Sequence, residues 1–192
     1  MALKLPFSFL NNEQQKSTLM WLVIVTLVTI IAMQTLSAPL VTKDAPAGIV
    51  SFELAGDLQT SNTIIDSWNE QIRIFAGLGL GLDFLFLLLY STTLALACSI
   101  IKYSLTLRKP IFSMFGTLVI WSALIAGVCD GIENIALIKL LLGSQSQLWP
   151  MLANVFAITK FILIAMALIY IVWGSVANRL IGSRKNNNAS PG

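Results

Sequence analysis

The chain contains no histidine, and charge is scarce: of 192 residues, 11% are Asp, Glu, Lys or Arg. The missing histidine removes His-ligated haem, His-based zinc and di-iron sites, Ser-His-Asp triads and Cys-His nucleophile pairs. Two cysteines are present, Cys98 and Cys129. They cannot form CxxC redox or zinc-ribbon spacings, so they read as free packing thiols, and no metal site is expected. Gly77, Gly79 and Gly81 are spaced like part of a nucleotide loop, but the third correctly spaced glycine and a preceding strand are missing, as is a Walker A lysine. No cofactor is expected. The net charge of +3 is split by location rather than spread over a basic face, which argues against nucleic acid as a partner.

What the chain has in abundance is apolar sequence. It is 56% hydrophobic with a mean hydropathy of +0.81, far outside the range of a soluble globular domain. Its first partner is therefore the lipid bilayer. A membrane helix needs about 20 apolar residues, and four segments qualify: 18–37, 74–101, 111–142 and 151–176. Pro39 and Pro46 stop the first, Pro110 and Gly143 bound the third, and Pro150 suits the first turn of the fourth. The fold class expected is an all-α membrane protein, a four-transmembrane-helix bundle.

Orientation follows from Lys and Arg, which cytoplasmic loops retain. Eight of them (Lys4, Lys16, Lys102, Arg108, Lys109, Arg179, Arg184 and Lys185) fall on one side of the spans, against Lys43 and Arg73 on the other. This places segment 1–17, the loop 102–110 and the tail 177–192 in the cytoplasm, with the tail disordered. Residues 38–73 and 143–150 become the outer loops. Trp68 and Trp149 on the outer side, and Trp173 on the inner, fit interfacial anchoring. The first segment reads as a retained span rather than a cleaved signal peptide, since it has full span length and Pro39 obstructs the cleavage position.

The loop 38–73 is too long for a plain connector. Its glycine-bracketed stretch 48–56 turns Ile49 and Phe52 toward an apolar surface. From Thr63, a capping-box variant with Asp66 opens a segment in which Ile64, Ile65, Trp68, Ile72 and Phe75 recur at helical spacing. The pattern predicts either an amphipathic helix lying on the outer face or capping the bundle and feeding into the second span, or a helix that simply continues the second span upward.

Polar groups inside the spans carry the functional information. Asp83, Asp130, Glu133, Asn134 and Lys160 overlap in depth to within a few turns. Each intramembrane charge costs at least about 2.5 kcal/mol, so pairing is expected, with Lys160 between Asp130 and Asp83 and one carboxyl left over. Ala123, Gly127 and Gly131 form a small-xxx-small stripe on the face of Asp130 and Asn134, which lets a neighbouring helix approach closely. Ala153, Ala157 and Ala167 lie near the Lys160 direction, and Asp83 shares a face with Tyr90.

The sequences Asp83-Phe84-Leu85-Phe86 with Tyr90, and Asp130-Gly131-Ile132-Glu133-Asn134, resemble a pattern in an uncharacterised group of bacterial four-span integral membrane proteins. The resemblance covers mainly the second and third spans. It implies the four-span layout and a bacterial-type plasma (inner) membrane, and no activity.

Three functions fit these residues. In the first, the chain is a non-enzymatic membrane protein whose Asp83, Tyr90, Asp130, Glu133, Asn134 and Lys160 form a binding site for a proton or a small amphipathic ligand. In the second, it is a structural or accessory subunit of a larger membrane complex, with a membrane-protein partner, and the cluster only fixes helix register. In the third, Asp130 and Glu133 are the acid and base of an intramembrane proton-transfer enzyme.

Overall fold

A computed structural model describes residues 6–106 and 110–187, and among these the regular structure is entirely helical. The elements are α1 (Asn12–Ser37), a single 3₁₀ turn (Ala38–Leu40), α2 (Ile49–Glu53), α3 (Leu58–Ser67), α4 (Glu70–Thr106), α5 (Pro110–Leu141) and α6 (Leu148–Asn187). Four of them, α1, α4, α5 and α6, are long and apolar enough to cross a membrane. The bundle expected from the sequence is therefore observed.

The helices overrun the expected spans wherever no residue stops them. α1 begins at Asn12 because Asn11 and Gln14 close a reciprocal capping box, which satisfies two of the free N–H groups of the first turn. α4 extends through residues 102–106, which the sequence assigned to a loop; 107–109 lie outside the described residues. The expected disordered tail 177–192 is also corrected. No proline follows Pro150 before Pro191, and α6 runs on to Asn187, beyond which 188–192 lie outside the described residues. α5 ends as the sequence suggests: Gly143 and Ser144 donate to Leu140 and Lys139, the bond pattern of a Schellman cap.

α4, α5 and α6 pack on one another, whereas α1 packs along α4 and buries only Thr29. The α4–α5 approach depends on Gly127. A Cβ there would stand 2.8 Å from Ser91 Oγ and 3.2 Å from the Leu87 carbonyl oxygen, so any side chain pushes against backbone. Gly127→Ala is expected to destabilise the bundle by about 1–3 kcal/mol, the usual cost of overpacking. A shift of the unfolding midpoint in mixed detergent micelles measures it. Gly131 is less demanding, since its Cβ would meet Leu87 Cδ2 at an ordinary 3.7 Å. Ala123 is fully buried, as are Ala153, Ala157 and Ala167.

Residues 38–73 form a cap over one end of the bundle, but not as the periodicity suggested. α3 starts at Leu58 behind the N-cap Asp57, whose carboxylate accepts from the Thr60 N–H at 2.8 Å. These bonds also hold the Asp57 carboxyl below the usual carboxylate range. The start therefore lies well before Thr63. The helix does not feed directly into α4 either. Trp68 is extended (φ −97°, ψ 120°), and Arg73 turns back to donate to the carbonyls of Ile65 and Trp68.

Trp68 is not an interfacial anchor. Only 1% exposed, it packs edge-on to Phe52 and donates its indole N–H to the Leu40 carbonyl at 3.0 Å. Around it Leu40, Phe52, Ile64 and Ile65 meet Ala76, Leu80, Leu137, Leu140 and Ala153 from the long helices. Further bonds tie the cap to α6 and the residue before it: Asn154 donates to the Leu54 carbonyl, and the Leu58 N–H donates to Gln147. Gly48 and Gly56 take positive φ values of 60° and 75°, the region glycine enters without strain. They fold the short α2 down against the bundle.

Candidate functional site

α5 repeats its inward face every three to four residues, which brings Asp130, Glu133, Asn134 and Leu137 to one side. There they meet Lys160 of α6 and Asp83 of α4. Lys160 Nζ lies 2.8 Å from Asp130 Oδ1 and 2.8 Å from Glu133 Oε2, with Glu133 Oε1 at 2.9 Å. Asn134 donates its amide to Asp83 Oδ2 at 2.7 Å. All five are buried; Glu133 has no exposed surface. The residues picked from sequence therefore converge.

Their pairing differs from the expected one. Lys160 does not sit between Asp130 and Asp83. Its third partner is Glu53 of α2, at 3.6 Å, while Asp83 is held through Asn134. In the sequence Glu53 is one of several acids in the outer loop 38–73, with nothing of its own to set it apart. The signal that could have found it is the pair of bracketing glycines together with apolar Ile49 and Phe52, which require α2 to lie against the bundle and carry the adjacent Glu53 inward. Burial pushes the Glu53 carboxyl above the usual carboxylate range, opposed by the Lys160 ammonium. Lys139, the other lysine near this end, is exposed and takes no part.

Three carboxyls, Glu53, Asp130 and Glu133, thus surround one ammonium, with a fourth, Asp83, close by on Asn134, and all of them are buried. Burial of unpaired charge is expensive, so such a cluster stays near neutrality only by holding protons or an additional cation. Hydrogen bonding is also incomplete. Glu53 Oε2 and the Tyr90 hydroxyl are buried without a hydrogen-bond partner, although Tyr90 faces Asp130 and packs against Phe86 with the rings tilted, their centroids 5.1 Å apart.

The cluster forms one wall of a cavity of about 360 Å³. α1 contributes Thr26, Ile30 and Met33; α4 contributes Gly79, Asp83, Phe86 and Tyr90; α6 contributes Lys160, Phe161 and Ile164; and α2 contributes Glu53. Asp130 also lines it, whereas Glu133 and Asn134 stand behind the wall. The cavity is mostly apolar, its charged groups gathered at one place, and its volume lies in the 300–1,000 Å³ range of small-molecule sites.

The four long apolar helices and the buried Lys-Asp/Glu cluster fit an integral membrane protein. Comparison with known protein families, with curated proteins and with solved structures gives no match.

Proposed function

We propose that this chain is a multi-pass protein of a bacterial-type plasma membrane, with both termini cytoplasmic, and that it binds a small amphipathic molecule without transforming it. The layout accords with the resemblance of the Asp83 and Asp130 motifs to bacterial four-span proteins. The observation that carries the binding reading is the cavity between α1, α4 and α6, with Glu53, Asp83, Asp130 and Lys160 on its wall. A network that serves only to fix helix register, as an accessory subunit would need, has no use for a void beside it. Voids forfeit packing contacts and cost stability. α1 packs along α4 and lines the cavity with Thr26, Ile30 and Met33, and the proposed ligand enters from the bilayer. Its apolar part rests on the helices and its polar end reaches the cluster. A catalytic pair of Asp130 and Glu133 is disfavoured, because Glu133 stands behind the wall.

A lipid-soluble carboxyl reagent tests this. Dicyclohexylcarbodiimide is expected to modify one or more of Glu53, Asp83 and Asp130 in the intact protein and to spare Glu133, as read by peptide mass mapping. Gly79 lines the cavity and a Cβ there meets nothing within 4 Å, so Gly79→Leu is expected to occupy part of the cavity and suppress the labelling. Protection of all three carboxyls in the parent chain, or labelling indifferent to Gly79→Leu, would refute an open site.

A further inference from the structure

The buried side-chain atoms on the cavity wall that make no hydrogen bond are the carboxylate oxygen Glu53 Oε2 and the hydroxyl of Tyr90. Glu53 and Tyr90 are 8% and 6% exposed. Glu53 Oε2 accepts no hydrogen bond; its cation is Lys160 Nζ at 3.6 Å, and Asp83, bonded to Asn134, has no cation of its own among the described residues. Lys160, the one cation of the cluster, is already engaged by Asp130, Glu133 and Glu53.

We propose that the ligand is a cationic amphiphile, an alkyl chain ending in a primary ammonium or guanidinium group, whose N–H donors lie among Glu53, Asp83 and Asp130. This assignment rests on the cavity being a binding site and adds the chemical class of its occupant. An anionic headgroup would bring a further negative charge to a cluster whose lysine is taken, which the low dielectric penalises heavily. A neutral hydroxyl supplies one donor and no charge. An ammonium supplies three donors and a charge, and Phe86, Tyr90 and Phe161 give it aromatic surface nearby, a favourable setting for a cation removed from water. No covalent step is involved.

Three probes of equal chain length decide the class: decylammonium, decanol and decanoate, titrated at neutral pH against the full chain in a non-ionic detergent, with bound probe counted by native mass spectrometry. Decylammonium is expected to saturate at one per chain, at least about tenfold more tightly than either other probe, a difference of about 1.4 kcal/mol. Asp83→Asn and Gly79→Leu are each expected to weaken it by at least as much. Decanol or decanoate binding as tightly as decylammonium, and equally lost in Gly79→Leu, would overturn the cationic class while leaving the cavity as a binding site. Decylammonium binding that ignores Gly79→Leu would overturn both. Gly79→Leu keeps every charged group, so the comparison among probes still decides the class if Asp83→Asn does not fold.

Discussion

Lys160→Met is expected to destabilise the protein by about 3–5 kcal/mol at neutral pH, the cost of removing one partner from a buried ion pair. Its ammonium lies within 2.8 Å of both Asp130 and Glu133 and 3.6 Å from Glu53. Without it, the carboxyls face one another across apolar surroundings with nothing to offset them. The loss should shrink as the pH is lowered, because protons then neutralise the carboxyls that the lysine no longer balances. Unfolding in mixed sodium dodecyl sulfate and dodecyl maltoside micelles, repeated across pH, measures both effects. A loss under about 1 kcal/mol, the range of an exposed ion pair, or a loss that does not vary with pH, would mean that the cluster is solvated.

Trp68→Ala should have an effect of similar size, about 3–5 kcal/mol for deleting a fully buried aromatic side chain. The indole fills the space between the cap and the long helices, and its N–H satisfies the Leu40 carbonyl. The substitution leaves both a void and an unpaired acceptor. The expected consequence extends to the cavity, because the cap that Trp68 holds carries α2 and hence Glu53. Trp68→Phe, which keeps the ring contact with Phe52 and loses only the hydrogen bond, should recover most of the stability. Protease sensitivity between residues 38 and 69 provides an independent reading: it should rise in Trp68→Ala and stay near the parent level in Trp68→Phe.

How much of this was legible in the sequence depends on the kind of signal each part leaves. The long helices are visible because a bilayer demands length and apolarity, and both are written residue by residue. The convergence of Asp130, Glu133 and Lys160 follows from the cost of leaving charges unpaired inside a span. Which acid pairs with which base does not follow, because side chains one turn apart have similar depth, and Asn134 claims Asp83.

Glu53 was missed because α2 is five residues long, too short for a periodic pattern, and a glutamate in a loop is ordinarily solvated. The true start of α3 was missed because Asp57 as N-cap competed with a plausible capping box at Thr63. The packing of α1 was illegible for a different reason. Beyond its polar first turns the helix is apolar on all sides, with Trp21 and Ile31 both exposed, so its composition does not distinguish the face that meets α4. The cavity follows from that packing, and no residue pattern announces it.

The central claim is that acidic and basic groups from separate helices meet in one buried, mutually dependent cluster, and a double-mutant cycle between Glu133 and Lys160 tests it most directly. Glu133→Gln, Lys160→Met and the double variant are compared by reversible unfolding in mixed micelles at neutral pH. The structure predicts strong coupling, within the 0.5–3 kcal/mol seen for residues in contact, with the double variant more stable than the Lys160→Met variant alone. Losses that add to within about 0.5 kcal/mol, as they do for separated sites, would contradict the cluster and with it the binding site built on it.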